Sequence, residues 1–252
     1  MTVFLNGILS HRFNLKDIYN HTRNHLPEWF PELPSYPAFI VRLNRLEDVF
    51  PCLTERLQED FSGPDITDRI RLTDSFPVIP ASGRRNPKPV IAREFGNKGF
   101  CSSKRMYYHG IKIHIPAKKR AGQIPVPGCI AVSPAGDHDL TVFRQTAPCL
   151  RDCETYADKA YFDGIRKQYL KGRGVKLFTP VKKEKGQQHL FLFEQLLSTG
   201  VSRVRQPVES LFNWLQEHTG IQIASKVRSL QGLMVHVWGR LTAAMFMLVF
   251  NS

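Results

Sequence analysis

Residues 66–78 read ITDRIRLTDSFPV, and this stretch decides the fold because apolar and polar side chains alternate along it. Ile70, Leu72 and Asp74 fall on one face of a strand, since successive side chains of a strand point to opposite faces. The next residues, Ser-Phe-Pro-Val, are expected to end the strand just after Asp74. A carboxylate at the end of a strand is typical of the sites that open α/β sheets build.

The chain after this strand alternates between strand and helix signals. Residues 105–115 have period two, and the turn KKRAG at 118–122 leads to IPVPGCIAV, which predicts a β-hairpin. A helix is expected from GDHDLTVFRQ, with Asp137 or Asp139 at its N-cap. A strand ETYAD, a helix over 162–171 and a strand VKLFTPV follow. This order predicts a mixed α/β fold.

The two ends of the chain are predicted to be helical. Residues 1–60 have apolar residues at mixed helical spacing between prolines, so a small helical region is expected there. Residues 79–98 are rich in proline, glycine and basic residues, which is typical of a loop. A regular helical period lies at 206–218, where the apolar residues at i, i+3, i+4 and i+7 are Val208, Leu211, Phe212 and Leu215.

The charge of the chain is high and unevenly distributed. The 252 residues carry 35 Lys and Arg against 22 Asp and Glu, a formal net charge of +13. Residues 1–73 contain 8 basic and 10 acidic side chains, which leaves 27 and 12 in residues 74–252, a net charge of +15. Such an excess favours nucleic acid as the partner, with a merely soluble basic surface as the alternative. The 42% hydrophobic content excludes disordered and collagen-like classes.

The cysteines and the apolar segments indicate a cytoplasmic protein. The five cysteines lack the C-x-x-C spacing of a zinc site, so reduced thiols are expected. The first residues, MTVFLNGILSHRF, lack the basic segment and cleavage site of a signal peptide. Residues 230–250 are apolar enough to raise the question of a membrane helix, but they contain His236 and Arg240, so a buried core helix is expected.

Acidic residues are scarce in the basic part of the chain, so their positions matter. Asp74 and Asp158 each end a predicted strand, and Glu209 lies in the first turn of the 206–218 helix. Three carboxylates from distant segments could hold two Mg²⁺ ions, which prefer oxygen ligands and, about 3.5–4 Å apart, stabilise both oxygens of a phosphodiester displacement. Structural interpretations stay open. Glu209 can interact favourably with the helix dipole or pair with Arg205. The two aspartates can cap turns.

Several motifs in combination resemble those of a known family. ITDRIRLTDSFPV is similar to its strand with the first aspartate, KRMYYHGIKIH to a Tyr-Gly-x-Lys-x-His strand, and SPAGDHDL to a segment ending in His-Asp. TYADKAYFD is similar to an Asp-Lys-Gly-Tyr motif with the second aspartate, and RVRQPVESLFNWL to an Arg-x-x-x-Glu helix. On these motifs, nearly the whole chain resembles the transposases of bacterial insertion sequences, whose DDE catalytic domain has a ribonuclease H-like fold.

The resemblance implies a fold and a chemistry. We expect a ribonuclease H-like mixed sheet flanked by helices over residues 66–252, and a small helical N-terminal region over residues 1–65. Asp74, Asp158 and Glu209 would be the catalytic residues and the ligands of two Mg²⁺ ions, with Mn²⁺ able to substitute. The protein would cleave the ends of its element and transfer them to target DNA, as a homodimer on double-stranded DNA in the bacterial cytoplasm, associated with the nucleoid.

Basic residues near these motifs are candidates for contacts with DNA phosphates, with a solvated charged surface as the alternative. In the family, the arginine of the last motif is thought to lie near the DNA backbone. The candidates are Lys104, Arg105, Lys112, His114, Lys159, Arg203 and Arg205.

The chain also departs from the family pattern. Ala160 stands where glycine is usual, and Ser202 and Gln216 stand where some relatives have a tyrosine and a lysine around the Arg-x-x-x-Glu motif. The N-terminal part is shorter than in relatives, so we expect that a DNA-recognition part is truncated. Two alternatives follow: an inactive or truncated transposase remnant that only binds DNA, and a structure-specific nuclease of the same fold.

Overall fold

The computed structural model describes residues 1–61, 69–82, 98–101, 104–162, 167–183 and 185–250. The chain divides into two compact units. One, here called the helical unit, contains residues 1–63, 78–110 and 214–252, and the other, here called the sheet unit, contains residues 64–77 and 111–213. The domain boundary expected near residue 65 stays a prediction, but residues 214–252 group with the N-terminal helices and not with the sheet unit.

Most helices and strands follow the order that the sequence signals predict, but a strand at Lys98–Cys101 and a helix at Leu192–Arg205 are additional to it. The helices are α1 (Thr2–Leu9), α2 (Leu15–His25), α3 (Tyr36–Asn44), α4 (Val49–Phe61), α5 (Asp139–Thr146), α6 (Lys167–Gly172), α7 (Leu192–Arg205), α8 (Pro207–Thr219) and α9 (Leu230–Phe250). The strands are β1 (Ile70–Ser82), β2 (Lys98–Cys101), β3 (Met106–Lys118), β4 (Val126–Pro127), β5 (Ala131–Pro134), β6 (Glu154–Ala157) and β7 (Lys176–Phe178).

Helix α9 is the core of the helical unit. Its glycine at position 239 lets Phe4 of α1 pack closely, because a Cβ there would lie 2.6 Å from the phenyl ring. Thr242 of α9 shares a hydrogen bond of 2.8 Å with Thr54 of α4. α9 is long and apolar enough to cross a membrane, yet 72% of its most apolar stretch is buried inside the protein. This burial agrees with the core helix that the sequence predicts.

The strands form one mixed sheet in the order β2-β3-β1-β6-β7, with β4 and β5 paired to β3. β6 runs parallel to both β1 and β7, whereas β2, β4 and β5 run antiparallel to β3. Leu72 of β1 and Ile111, Ile113 and Ile115 of β3 are fully buried. The mixed α/β fold class predicted from the sequence is therefore confirmed.

Strand β1 does not end after Asp74 as predicted, and continues through Pro77 to Ser82. The N–H of Glu154 in β6 donates to the carbonyl of Arg69, so the odd-numbered residues of β1 direct their peptide groups to β6. β6 ends opposite Thr73, which leaves Pro77 facing an edge without this neighbour. The missing N–H of Pro77 therefore costs no ladder hydrogen bond with β6. Asp74 lies inside β1, at the level where β6 ends.

Other local expectations are met in part. β3 forms the predicted hairpin, but residues 128–130 divide its partner into β4 and β5. The helix expected over 162–171 has its described part in α6, because residues 163–166 lie outside the described residues. Most of the expected basic loop, residues 83–97, also lies outside them. The predicted N-cap of α5 is wrong, because His138 occupies that position and Asp139 is the first helical residue.

Candidate active site

Asp74 and Asp158 come together because their strands are parallel neighbours. Thr73 of β1 pairs with Ala157 of β6, and the next residue on each side is an aspartate. Paired positions of neighbouring strands direct their side chains to the same face of the sheet. Asp158 is close enough to raise the pKa of Asp74. The structure thus brings together two of the three predicted catalytic carboxylates.

The Asp74 carboxyl group is partly buried and held by its own strand. Its Oδ1 accepts a hydrogen bond of 2.9 Å from the N–H of Ser75, on the edge where β6 has ended. Burial raises the pKa of Asp74 to about 6, and Asp158 and Asp139 act in the same direction, whereas Arg205 and the Ser75 N–H act against it. A further cation beside Asp74 would stabilise the ionised form of its carboxyl group.

Asp158 caps the short 3₁₀ turn Lys159–Tyr161 that follows β6. Its Oδ1 accepts the N–H of Lys159 at 2.7 Å. The capping role left open by the sequence is therefore present. This contact uses one carboxylate oxygen, so capping and cation binding are compatible.

Arg205 links Asp74 to Glu209. It is the last residue of α7, and Glu209 lies in the first turn of α8 as predicted. The Nη1 of Arg205 donates to Oδ2 of Asp74, and its Nη2 donates to Oε1 of Glu209 at 2.9 Å. The side chain of Arg205 is 16% exposed, that of Asp74 22% and that of Glu209 58%. One planar guanidinium group therefore joins a partly buried carboxylate to an exposed one.

The three carboxylates suit a hard divalent cation by their chemistry, because Mg²⁺ prefers oxygen ligands. The structural observation that fits such an ion is the strand register that places Asp158 beside Asp74. Within the described ranges, however, no group of three His, Cys, Asp or Glu side chains is already spaced to hold a metal. The positive charge beside Asp74 and Glu209 in this structure is the guanidinium group of Arg205. Arg205 occupies one oxygen of each of these two carboxylates.

The basic residues expected to contact DNA divide into two groups. Arg105, Lys159 and Arg203 are exposed. Lys104 is also exposed, and its Nζ donates to Oε1 of Gln222 at 2.8 Å. Their contacts with phosphates stay predictions.

Lys112 and His114 are less accessible than the sequence suggests. His114 is 2% exposed, and its Nε2 lies 2.9 Å from Oγ of Ser133. Burial lowers the pKa of His114 to about 4, so the imidazole is neutral at pH 7. The Nζ of Lys112 donates to Oδ1 of Asp139 at 2.8 Å. The alternation in β3 predicts an exposed face, but the strand is covered on both faces here, and His114 has no surface to offer to a phosphate.

Two groups beside Asp74 differ from what the sequence favours, which is helix capping over an extra polar group near the metals for Asp139, and a contact with a DNA base as an alternative for Tyr161. Asp139 had a predicted capping role, yet its carboxylate contacts Lys112 and the Oγ of Ser75. Tyr161, three residues after Asp158, is 1% exposed and close to the same acids. Lys112 itself carries the signal that could have found Asp139, because a lysine between buried isoleucines on a central strand requires an acidic partner.

Comparison with known proteins gives one match. A family model described as a transposase DDE domain matches residues 67–246. No curated protein and no solved structure matches the chain significantly. The matched range contains all three predicted catalytic acids and the arginine that links two of them.

Proposed function

The chain belongs to the family of transposases with a DDE domain, and from this premise we propose that it cleaves DNA at the ends of an insertion sequence and joins the exposed 3′ hydroxyl groups to target DNA. The mixed sheet flanked by helices is consistent with the ribonuclease H-like fold of this family. Two Mg²⁺ ions, or Mn²⁺ in their place, bind to Asp74, Asp158 and Glu209 in this proposal.

The observation that supports this assignment is the cluster around Arg205. Its guanidinium joins Asp74 to Glu209, and the parallel register of β1 and β6 places Asp158 beside Asp74. Three acids that lie far apart in sequence are thus connected in one unit of the fold. Structural capping alone does not require Asp74 and Glu209 to share a partner.

The bound ions would activate the attacking hydroxyl group and stabilise the leaving oxygen of the phosphodiester. The chain itself supplies charge and orientation. Asp74 is oriented by the Ser75 N–H, and Asp158 by the Lys159 N–H. In the proposed mechanism Arg205 exchanges its carboxylate partners for the non-bridging oxygens of a phosphate, since a planar guanidinium suits both. Lys159 and Arg203, both exposed, bind neighbouring phosphates.

The test uses two glutamates of α8, both exposed: Glu209 in its first turn and Glu217 further along the helix. Each is changed to glutamine in the full chain, and cleavage is followed on denaturing gels with Mg²⁺ and duplex DNA carrying the sequences that flank the gene. Glu209→Gln should reduce cleavage by at least about 100-fold while DNA binding persists. Glu217→Gln should cleave as the wild type does. Equal cleavage by the wild type and Glu209→Gln would overturn the proposal.

An inactive remnant that only binds DNA is the second candidate. The observation that favours it is the engagement of two of the three acids by Arg205. If this candidate is correct, the wild type binds the same DNA duplex but leaves it uncut at all Mg²⁺ and Mn²⁺ concentrations. The proposed active protein acts as a homodimer on double-stranded DNA, in the cytoplasm and associated with the nucleoid.

A further inference from the structure

Behind Asp74 lies a second polar cluster that the proposed chemistry does not use. Asp139, the first residue of α5, accepts a hydrogen bond from Nζ of Lys112 at 2.8 Å and another from Oγ of Ser75 at 3.3 Å. Lys112 also donates to the carbonyl of Asp137 at 2.7 Å. The side chains of Lys112 and Asp139 are only 16% and 25% exposed. This pair is therefore a partly buried anchor and not a surface ion pair.

Ser75 connects this anchor to the catalytic carboxylate. Its N–H donates to Oδ1 of Asp74, and its O–H donates to Oδ1 of Asp139. Both polar donors of one residue are thus used, one toward the site and one toward the anchor. The contact with Asp139 restrains Ser75, and any shift of the Ser75 backbone also moves the N–H that orients Asp74.

Tyr161 connects the same helix to Asp158. Its N–H donates to the carbonyl of Asp158 at 3.0 Å, and its ring packs edge-to-face against Phe143 of α5, with ring centroids 5.6 Å apart. Burial raises the pKa of Tyr161 well above its ordinary value, and Asp139, Asp74 and Asp158 raise it further, against a smaller opposite effect from Ser75. The phenol stays protonated at neutral pH. Helix α5 therefore contacts the supports of both aspartates.

We propose that Asp139, held by Lys112, is a positioning residue that acts through Ser75 to fix the Asp74 carboxylate for cation binding. This inference rests on the proposed function, because it assumes that Asp74 is a metal ligand. It assigns to Lys112 a role inside the protein in place of a phosphate contact. Outer groups that orient metal ligands typically affect metal affinity by about 10–100-fold when they are removed.

The experiment measures Mn²⁺ binding to the full chain without DNA, by the loss of the free-ion electron paramagnetic resonance signal. Asp139→Asn and Ser75→Ala should each weaken Mn²⁺ binding by about 10-fold or more. Ser75→Thr keeps the hydroxyl group and should restore affinity to near the wild-type value. The melting temperature of every variant is recorded in the absence of metal, so that general destabilisation is measured separately.

The matched control is another lysine–carboxylate pair of the sheet unit, Lys176 with Glu154, whose Nζ and Oε1 lie 3.3 Å apart. Glu154→Gln removes this pair and should leave Mn²⁺ affinity unchanged. Wild-type affinity in a folded Asp139→Asn or Ser75→Ala variant would overturn this inference alone. A wild-type chain that binds no Mn²⁺ with or without DNA would overturn the proposed function as well.

Discussion

The sheet unit and the helical unit each contain an arginine removed from solvent, and the two have opposite kinds of partners. Arg205 in the sheet unit donates to the carboxylates of Asp74 and Glu209. Arg240 in the helical unit, 3% exposed, donates to the main-chain carbonyls of Thr219 and Phe13 and to Nδ1 of His236. Arg205 compensates the negative charge of two carboxylates, whereas Arg240 supplies hydrogen bonds to main-chain carbonyls.

The chemistry of the acceptors determines which arginine can exchange its partners. Main-chain carbonyls at the end of α8 and in the segment before α2 have few alternative donors once they are buried, so Arg240 is fixed in the fold. Burial lowers the pKa of Arg240 to about 10, so it remains charged at neutral pH without a carboxylate. The carboxylates of Asp74 and Glu209, which pair with Arg205, can instead be neutralised by another cation or by a proton. We infer a structural role for Arg240 and a functional one for Arg205.

The largest expected effect tests the structural arginine. Arg240→Gln removes the donors to Thr219 and Phe13, and it should lower the free energy of unfolding by about 3–5 kcal/mol. Arg240→Lys should rescue little of this loss, because an ammonium group cannot span three separate acceptors. Urea denaturation followed by circular dichroism measures both variants. A loss below about 1 kcal/mol for Arg240→Gln would break the comparison.

The next substitution should raise the free energy of unfolding, in contrast to the first. The pKa of Asp74 is about 6 in the folded protein, above its ordinary value of 3.8, so between these pH values the folded state binds more protons than the unfolded state and loses stability as pH rises. Asp74→Asn removes this cost and should stabilise the metal-free protein by about 2 kcal/mol at pH 8, with little gain at pH 4. Thermal unfolding at the two pH values provides the measurement. Destabilisation at pH 8 would show that the Arg205 pair outweighs the burial of Asp74.

A smaller effect concerns the acid sensitivity of the helical unit. The Nε2 of His236 donates to the carbonyl of Ile221, and its Nδ1 accepts from Arg240, so a second proton would meet the guanidinium. Burial, followed by the charge of Arg240, lowers the pKa of His236 from its ordinary value of 6.5 to about 3. The neutral imidazole of His236 contributes fully to the free energy of unfolding above pH 6.5, and this contribution is lost as pH falls. Relative to the wild type, His236→Gln should gain about 1.5 kcal/mol between pH 6.5 and pH 5, measured by urea denaturation. A pH-independent difference would contradict this account.

The smallest effect sharpens the contrast with the first. Arg205→Gln should lower the free energy of unfolding by about 1 kcal/mol or less, because Glu209 is largely exposed and Asp74 can take up a proton. The same urea titration that measures Arg240→Gln measures this variant. A loss equal to that of Arg240→Gln would make Arg205 a structural residue of the same kind.

The sequence predicts the parts of the site that depend on local pattern. Period two in Ile70 and Leu72 predicts β1, and the helical period after Pro207 places Glu209 in a first turn. The extent of β1 could not be predicted, because the effect of Pro77 depends on where β6 ends opposite it. For Asp139, the sequence pattern favours a helix cap over a polar group near the site. A carboxylate at a helix start resembles a cap, and its partner Lys112 lies 27 residues away in sequence.

The path of the chain has a genetic consequence. The helical unit consists of three separate stretches and the sheet unit of two, so the chain crosses between the units four times, within β1 and β3 among other places. A stop codon or frameshift after residue 213 would delete α9, the core helix of the unit that begins at residue 1. A gene fragment that lacks either end therefore encodes only part of the helical unit, and we expect shortened copies of this gene to encode unstable proteins.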